Sequence, residues 1–392
     1  MPDPEADPCH FDIVVVGAGL AGSSAALALA RAGWRVALVD RPTTFVESGE
    51  ILSGEAQPHL EYLGIWTEFL ALGALPLNEV DSRWGGVRVE RPLVFSPYGN
   101  DWIVPKGRLM ALVRDAALRA GAVHYRDDAM CLHTQKLPSG VMANHNSAPA
   151  AAKYRVKLAR TGIELTARAV IDATGRSAWI GRQLGARRTV WDPLAAAIWQ
   201  RPPAPTPLDG ARGAAPSFGQ SFVQSHNHGW WYGATLPDGG YAVAGYFYPE
   251  RGLKFAQQLK TWSPCDLPGM PAGSFLGAQP TWHVSAASSY LTPCAGDAWV
   301  AIGDAACAFD PLASAGMLVA LRTGARAAHA LSNALCGQVD AMSDYCGMVS
   351  ELVHQYAMRR RSVYAGARFS DKRFWSMALT HAPGQVTLHH RD

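Results

Sequence analysis

From Phe11 the chain runs FDIVVV, broken only by Asp12, and such a continuous apolar run predicts a strand buried on both faces of a parallel sheet. The pattern stops at Gly17. Gly17-Ala18-Gly19-Leu20-Ala21-Gly22 then opens an alanine-rich segment that predicts a helix, and RVALV follows as a second strand ending at Asp40. The strand-then-glycine signature returns twice. ARAVI leads into Ile171-Asp172-Ala173-Thr174-Gly175, and AWVAI leads into Gly303-Asp304-Ala305-Ala306 and a further helix. Between about Trp191 and Trp282 the pattern changes. RPPAPTPLDGARGAAPS is too rich in proline and glycine for regular structure. SFVQSHNHGWWYGATL and GYAVAGYFYP predict aromatic-rich strands joined by a hairpin at Pro237-Asp238-Gly239-Gly240. Side chains alternate along a strand, so Trp230 and Tyr232 share one face and Trp231 takes the other. MANHNSAPAAAKY, from Met142 to Tyr154, predicts a surface loop, and from about Ala327 amphipathic stretches without strand signals predict packed helices. No internal repeat or coiled-coil heptad interrupts this layout.

The first of these segments carries chemistry. Gly17 permits a tight turn, Gly19 lets backbone approach a phosphate, and Gly22 lets helix and strand pack closely. A pyrophosphate would then rest on the unpaired N–H groups of a helix N-terminus. Asp40 stands eighteen residues beyond Gly22, where a carboxylate can accept from ribose hydroxyls. Strand, glycine turn, helix, strand and terminal acid in this order predict a dinucleotide site.

Bulk properties narrow the function classes. With 392 residues, 48% of them hydrophobic, the chain can bury a large core in two lobes. The net charge is only +3 and no long basic tract exists, which gives no reason to expect nucleic acid. Arg359-Arg360-Arg361 reads as a solvated helix face. Seven cysteines, odd in number, scattered and without CxxC spacing, predict reduced thiols and a cytoplasmic location. The acidic MPDPEADPCHFD is the wrong chemistry for a signal peptide, and no apolar run has the length of a membrane span. His226, His228 and the pair His389-His390 lie on no metal-ligand scaffold, so no metal is expected.

Taken together, VVVGAGLAG, VIDATGRSA and WVAIGDAACAFDPLASAG resemble the three signatures of the glutathione-reductase-type FAD fold found in monooxygenases related to para-hydroxybenzoate hydroxylase. The closer likeness is to the branch of tryptophan halogenases and of flavoproteins that serve tryptophylquinone biogenesis. It rests on ESGEILSG, HLEYLGI, WWYGATLPDGG, FDPLASAGM and RRRSVYAGARFSDKRFW, and spans nearly the whole chain. The resemblance implies an α/β fold with a discontinuous FAD-binding domain (10–80, 105–190 and 283–335), an antiparallel substrate sheet (81–104 and 191–282) and a C-terminal helical segment (336–392). It also implies cofactor contacts. Gly17, Gly19, Gly22, Asp40 and Arg41 would hold the adenosine and pyrophosphate, with Gly175, Gly303 and Asp304 beside them. The turn from Asp310 to Gly316, with Pro311 and Met317, would lie along the isoalloxazine. In PKGRLMALVRDAALRAGA the arginine usual for the branch is replaced by Lys106, with Arg108 two residues on, and either cation can serve.

The activity implied is FAD-dependent monooxygenation of an aromatic, indole-like substrate, with molecular oxygen as co-substrate and NAD(P)H or a partner reductase as electron source. The cofactor does the hard chemistry, so no catalytic triad is required. Glu50 is the candidate functional carboxylate, equally readable as a loop carboxylate bonded to backbone. Trp230, Trp231 and Tyr232 are candidate substrate contacts, equally readable as strand packing. Tyr364, Arg368, Phe374 and Trp375 read as structural closure. The sharper expectation is hydroxylation of a tryptophan in a precursor protein, with residues 201–217 and the hairpin around Asp238 as the rim of its docking surface. The alternatives are a small-molecule aromatic hydroxylase, an atypical halogenase, and a non-catalytic flavoprotein that chaperones a precursor. Halogenation is disfavoured by two local departures. Gly229 to Pro237 places Tyr232 where the GWxWxIP element has its second tryptophan, and RWGGVRVE offers Arg83 and Arg88 but no lysine.

Overall fold

In a computed structural model, the described residues are 9–41, 48–92, 99–134, 153–202, 219–249, 280, 282–367 and 373–380. The strand His10–Val16 forms the centre of a mainly parallel sheet, with Ile13, Val14 and Val15 fully buried. Val36–Val39 and then Val123–Tyr125 lie to one side, parallel to it. Glu164–Asp172 and then Trp299–Ala301 lie to the other side, also parallel. Burial on both faces explains why these strands read as unbroken apolar runs. Ala295–Gly296, Tyr154–Leu158 and Ala129–Thr134 complete the sheet by antiparallel pairing.

Two helices cover the sheet where the glycine motifs end its strands. Leu20–Arg31 packs on Gly316–Leu335, and the approach is close enough that a Cβ on Gly324 would come within 2.5 Å of the Ala21 carbonyl oxygen. Trp34 Nε1 donates to Ser332 Oγ at 2.9 Å beyond their contact.

The second sheet runs in the order Trp282–Ser285, Ala195–Arg201, Tyr241–Phe247, Gly229–Thr235, Gly219–His226, Leu75–Trp84, Trp102–Ile103 and Ile51–Leu52, with Val87–Pro92 on Leu75–Trp84. It is antiparallel except where Gly219–His226 meets Leu75–Trp84. The expected hairpin forms, with Thr235 opposite Tyr241 and Asp238 accepting from Gly240 N–H. SFVQSHNHGWWYGATL is two strands, because the chain reverses at Asn227-His228. Trp230 and Tyr232 face one buried cluster, with Tyr246, Tyr364 and Trp375, while Trp231 faces another, with Trp199 and Phe247. A small third sheet joins Arg187–Val190, Ser289–Thr292 and Cys307–Ala308.

The helices Gly316–Leu335, Ala341–Ala365 and Arg373–Thr380 close the molecule. Ala341–Ala365 spans both sheets: Tyr345 donates to the Ala301 carbonyl, and Tyr364 is buried against the aromatic face of the second. The expectation of a solvated triple arginine is corrected here. Arg359 and Arg361 are exposed, but Arg360 is buried and ion-paired with Asp192 and Asp310. Among the described residues no helix is long and apolar enough to cross a membrane. Residues 203–217 of the expected rim, Met142 to residue 152 of the expected loop, Arg368 and His389-His390 lie outside the described residues.

Candidate functional site

Strand register brings the sequence motifs together. Val16 pairs with Val39 and with Asp172, and Asp172 pairs with Ala301, so four parallel strands end side by side. The segments that follow, from Gly17, Asp40, Ala173 and Ile302, therefore emerge along one edge, which is where open α/β sheets bind ligands. Gly17 has φ +108°, and a Cβ there would stand 2.1 Å from the Ala173 carbonyl oxygen. A Cβ on Gly22 would stand 1.8 Å from the Gly17 carbonyl oxygen. These two glycines are required by the polypeptide itself.

Gly19 and Gly316 differ, since a Cβ on either would meet nothing within 4 Å. Each lies at the start of a helix whose first turn has neither a side-chain cap nor an acidic residue. Unpaired N–H groups beside open space suit an anionic ligand. Asp40 completes this end. Burial pushes its carboxyl above the ordinary range, against the lowering effect of its hydrogen bond with the Ala18 backbone. Arg41 is exposed beside it. The residues present thus fit a dinucleotide.

Gly175 has φ +64° and open space at its Cβ position. Arg176, next in the chain, pairs through Nε with Asp304 Oδ2 at 3.4 Å and donates to the carbonyls of Ala287 and Phe309. Arg188 donates to the Asp304 carbonyl at 2.9 Å, and Gly303 N–H donates to Thr323 Oγ1 at 2.8 Å. The Gly303–Ala305 turn is held from below, while the Asp304 side chain stays 42% exposed and open to a ligand. Sequence reasoning missed both arginines. Arg176 directly after the second glycine motif was the available signal.

Glu50 Oε1 accepts from Lys106 Nζ at 2.7 Å and from Ser48 Oγ at 3.0 Å. Burial would raise its carboxyl, but the Lys106 ammonium outweighs this and holds it below the ordinary range. Its side-chain partners are therefore a lysine and a serine. Arg108 is exposed and directed toward Gly73, so of these two candidates Lys106 is the one that reaches Glu50. The segment before Glu50 leans on the second sheet: Tyr232 Oη donates to the Gly49 carbonyl, and a Cβ on Gly49 would stand 2.8 Å from Ala234 Cβ.

The turn Pro311–Ala313 is capped by Asp310, whose Oδ1 accepts from Leu312 N–H at 3.2 Å. Asp310 Oδ2 accepts from Arg360 Nε at 3.0 Å and from Tyr364 Oη at 2.9 Å. Tyr364 Oη in turn accepts from Trp230 Nε1 at 3.2 Å. Pro311 and Gly316 are exposed, and Met317 is buried beneath them. Trp230 and Tyr232 thus belong to the face that meets Glu50 and the Asp310 turn. Trp231 lies on the opposite face, its ring 5.5 Å from Trp199, apart from this constellation. Nothing in the sequence pointed to Tyr246, whose ring stacks on Trp230 at 3.9 Å.

The FAD binding domain family matches residues 10–211, just over half of the chain. A digeranylgeranylglycerophospholipid reductase of Methanopyrus kandleri is 34% identical over 96 residues, covering 24% of this chain and 21% of that protein. The chain therefore matches about a fifth of that relative's length. Among solved structures, a peptidyl tryptophan dihydroxylase essential for tryptophylquinone cofactor biogenesis has TM-score 0.70 and 22% identity, with 97% of this chain and 81% of that chain covered. The myxobacterial chondrochloren halogenase has TM-score 0.75 and 21% identity, with coverage of 95% and 86%. The likeness to these two structures is one of fold. The family match spans the glycine turn, Asp40, Glu50, Lys106 and Gly175, and the chain belongs to the FAD binding domain family of flavoproteins with the fold of the flavin-dependent monooxygenases.

Proposed function

We propose that this protein is an FAD-dependent monooxygenase that hydroxylates an indole, namely a tryptophan side chain presented by a precursor protein. The observation that carries the reading is the placement of one aromatic sheet face, with Trp230, Tyr232 and Tyr246, against both the Glu50 segment and the Asp310–Gly316 turn. An electron-rich ring has apolar walls to lie on there.

Gly17, Gly19 and Gly22 would hold the pyrophosphate at the first helix, Asp40 the ribose, and Asp304 a further hydroxyl of the cofactor. Gly316 offers bare backbone at the second helix. When bound, FAD supplies two-electron redox chemistry and the activation of molecular oxygen, with NAD(P)H or a partner reductase as the electron source. The protein's own tasks are orientation and exclusion of water. Asp310 fixes the turn by capping Leu312 N–H. Lys106 pairs with Glu50 at 2.7 Å and so ties the start of its helix to the segment that Tyr232 holds on the sheet.

The precursor-protein substrate is favoured because the fold neighbour that acts on a peptidyl tryptophan covers 97% of this chain. The test is mass spectrometry of a peptide with one tryptophan after incubation with the FAD-loaded enzyme, reductant and labelled oxygen. Labelled oxygen on the indole supports the reading. Efficient turnover of free tryptophan or a simple phenol, with the peptide untouched, replaces it with small-molecule hydroxylation. No oxygen consumption with any of them, while the peptide binds, replaces it with a chaperone role.

A further inference from the structure

We propose that the Tyr246 hydroxyl is the polar contact for the ring N–H of the substrate indole and sets the preference for indoles over rings that lack this hydrogen. The inference deepens the reading above and rests on the same site. Tyr246 is 7% exposed, stands opposite Trp230 in the strand pairing and stacks on it at an interplanar angle of 20°. Its hydroxyl has no hydrogen-bond partner among the described residues, and it is not among the unpaired polar atoms sealed from solvent. Among the described residues the other buried tyrosines all have one, and so does the half-buried Tyr232. Tyr154 donates to the Asp297 carbonyl, Tyr232 to the Gly49 carbonyl, Tyr345 to the Ala301 carbonyl and Tyr364 to Asp310, while Tyr248 accepts from Arg360 and Tyr356 bonds Ser288. An unpaired hydroxyl on a buried ring that is not sealed from solvent is open to a ligand whose polar group replaces water there.

The surroundings specify what fills it. Burial foremost, and then the negative charges of Glu50 and Asp310, push the Tyr246 phenol far above its ordinary range, with Arg176 opposing weakly. The group is therefore neutral and is no general base. A neutral hydroxyl keeps its oxygen lone pairs, and the negative field around it suits a ligand that presents a hydrogen to them. Those lone pairs accept. The same field disfavours a ligand that presents a carbonyl or carboxylate and favours one that presents a hydrogen. An indole N–H meets both demands, and its ring continues the aromatic wall formed by Trp230 and Tyr246.

The test measures binding of indole and of benzofuran, which has the same shape but a ring oxygen with no hydrogen, to the FAD-loaded enzyme through the change in flavin absorbance. The wild type should bind indole about fivefold more tightly than benzofuran, the worth of one neutral hydrogen bond. Tyr246→Phe keeps the ring and its stacking, and should bring that ratio close to one while leaving benzofuran affinity unchanged. A packing role would weaken both probes together and overturn the proposal. So would a Tyr246→Phe enzyme that keeps the preference, or a wild type that shows none or binds no indole. If the ratio depends on Tyr246 but no labelled oxygen enters a tryptophan peptide, the oxygenation reading fails and this one stands. If oxygen enters and the ratio ignores Tyr246, the reverse holds.

Discussion

Arg360 Nη2 lies 2.7 Å from Asp192 Oδ2, while its Nε lies 3.0 Å from Asp310 Oδ2, and none of the three side chains is more than 2% exposed. The guanidinium also donates to the Ala378 carbonyl and to Tyr248 Oη. One cation thus joins the long C-terminal helix to the last helix, to the loop before Ala195–Arg201 and to the turn Pro311–Ala313. Burial raises the Asp192 carboxyl and the proximity of Arg360 opposes that rise. Removal of the cation would leave two buried carboxylates without it.

Arg360→Met should therefore lower stability by about 3–5 kcal/mol, read from the urea midpoint of the FAD-loaded protein. The exposed neighbours offer the control: Arg359→Ala and Arg361→Ala should each change stability by less than about 0.5 kcal/mol. Equal effects at the three positions would contradict the buried assignment.

The glycines separate into two kinds. Gly17→Ala should unfold or strongly destabilise the chain with or without FAD, because its Cβ collides with backbone and its φ is positive. Gly19→Val should leave the FAD-free protein as stable as wild type but colourless after purification, since its side chain enters only ligand space. The measurement is the melting temperature with and without added FAD. The wild type should gain stability with FAD and Gly19→Val should not.

Product formation should be independent of halide. A halogenase needs an amine free to take up oxidised halide, and among the described residues the lysine beside Glu50, Lys106, is engaged by that carboxylate at 2.7 Å. Turnover with and without chloride or bromide, followed by mass analysis, checks this. A halogen mass gain would reverse the assignment.

Asp127 gives an acid-side prediction. Burial would raise its carboxyl, but N–H groups of Arg160, Thr161 and Asp128 and the Thr161 hydroxyl outweigh it and hold the pKa at about 2. A depressed folded-state pKa stabilises the protein above the unfolded value near 4, and that contribution is lost as pH falls from about 4 toward 2. Asp127→Asn should be less stable than wild type at neutral pH and should lose less stability over that acid range, as followed by urea unfolding at several pH values.

The sequence carried what is local. The glycine turn, Asp40, the hairpin at Asp238 and the opposite facing of Trp230 and Trp231 are each set by residues a few positions apart, so periodicity and turn chemistry reveal them. Arg360 was misread for the converse reason. Its carboxylates come from Asp192 and Asp310, far off in the chain, and a triplet of arginines carries no mark of which member is buried. The same holds for Tyr246, whose distinction is a missing partner, a property only the packed structure has. The reversal at Asn227-His228 has no glycine in its two turn residues, and Gly229 after them was read as part of one continuous strand.

The strand register also dictates when the cofactor site comes into being. The central strand His10–Val16 borders Glu164–Asp172, which borders Trp299–Ala301, and the first helix rests on Gly316–Leu335. On a ribosome, the nucleotide turn made first waits for some three hundred residues before the last of these elements emerges. Such long loops must close before the contacts reward them, which makes folding slow. The flavin is accordingly a late ligand, since its site is complete only once Gly316–Leu335 has been made, and it stabilises the assembled fold rather than templating its first strands.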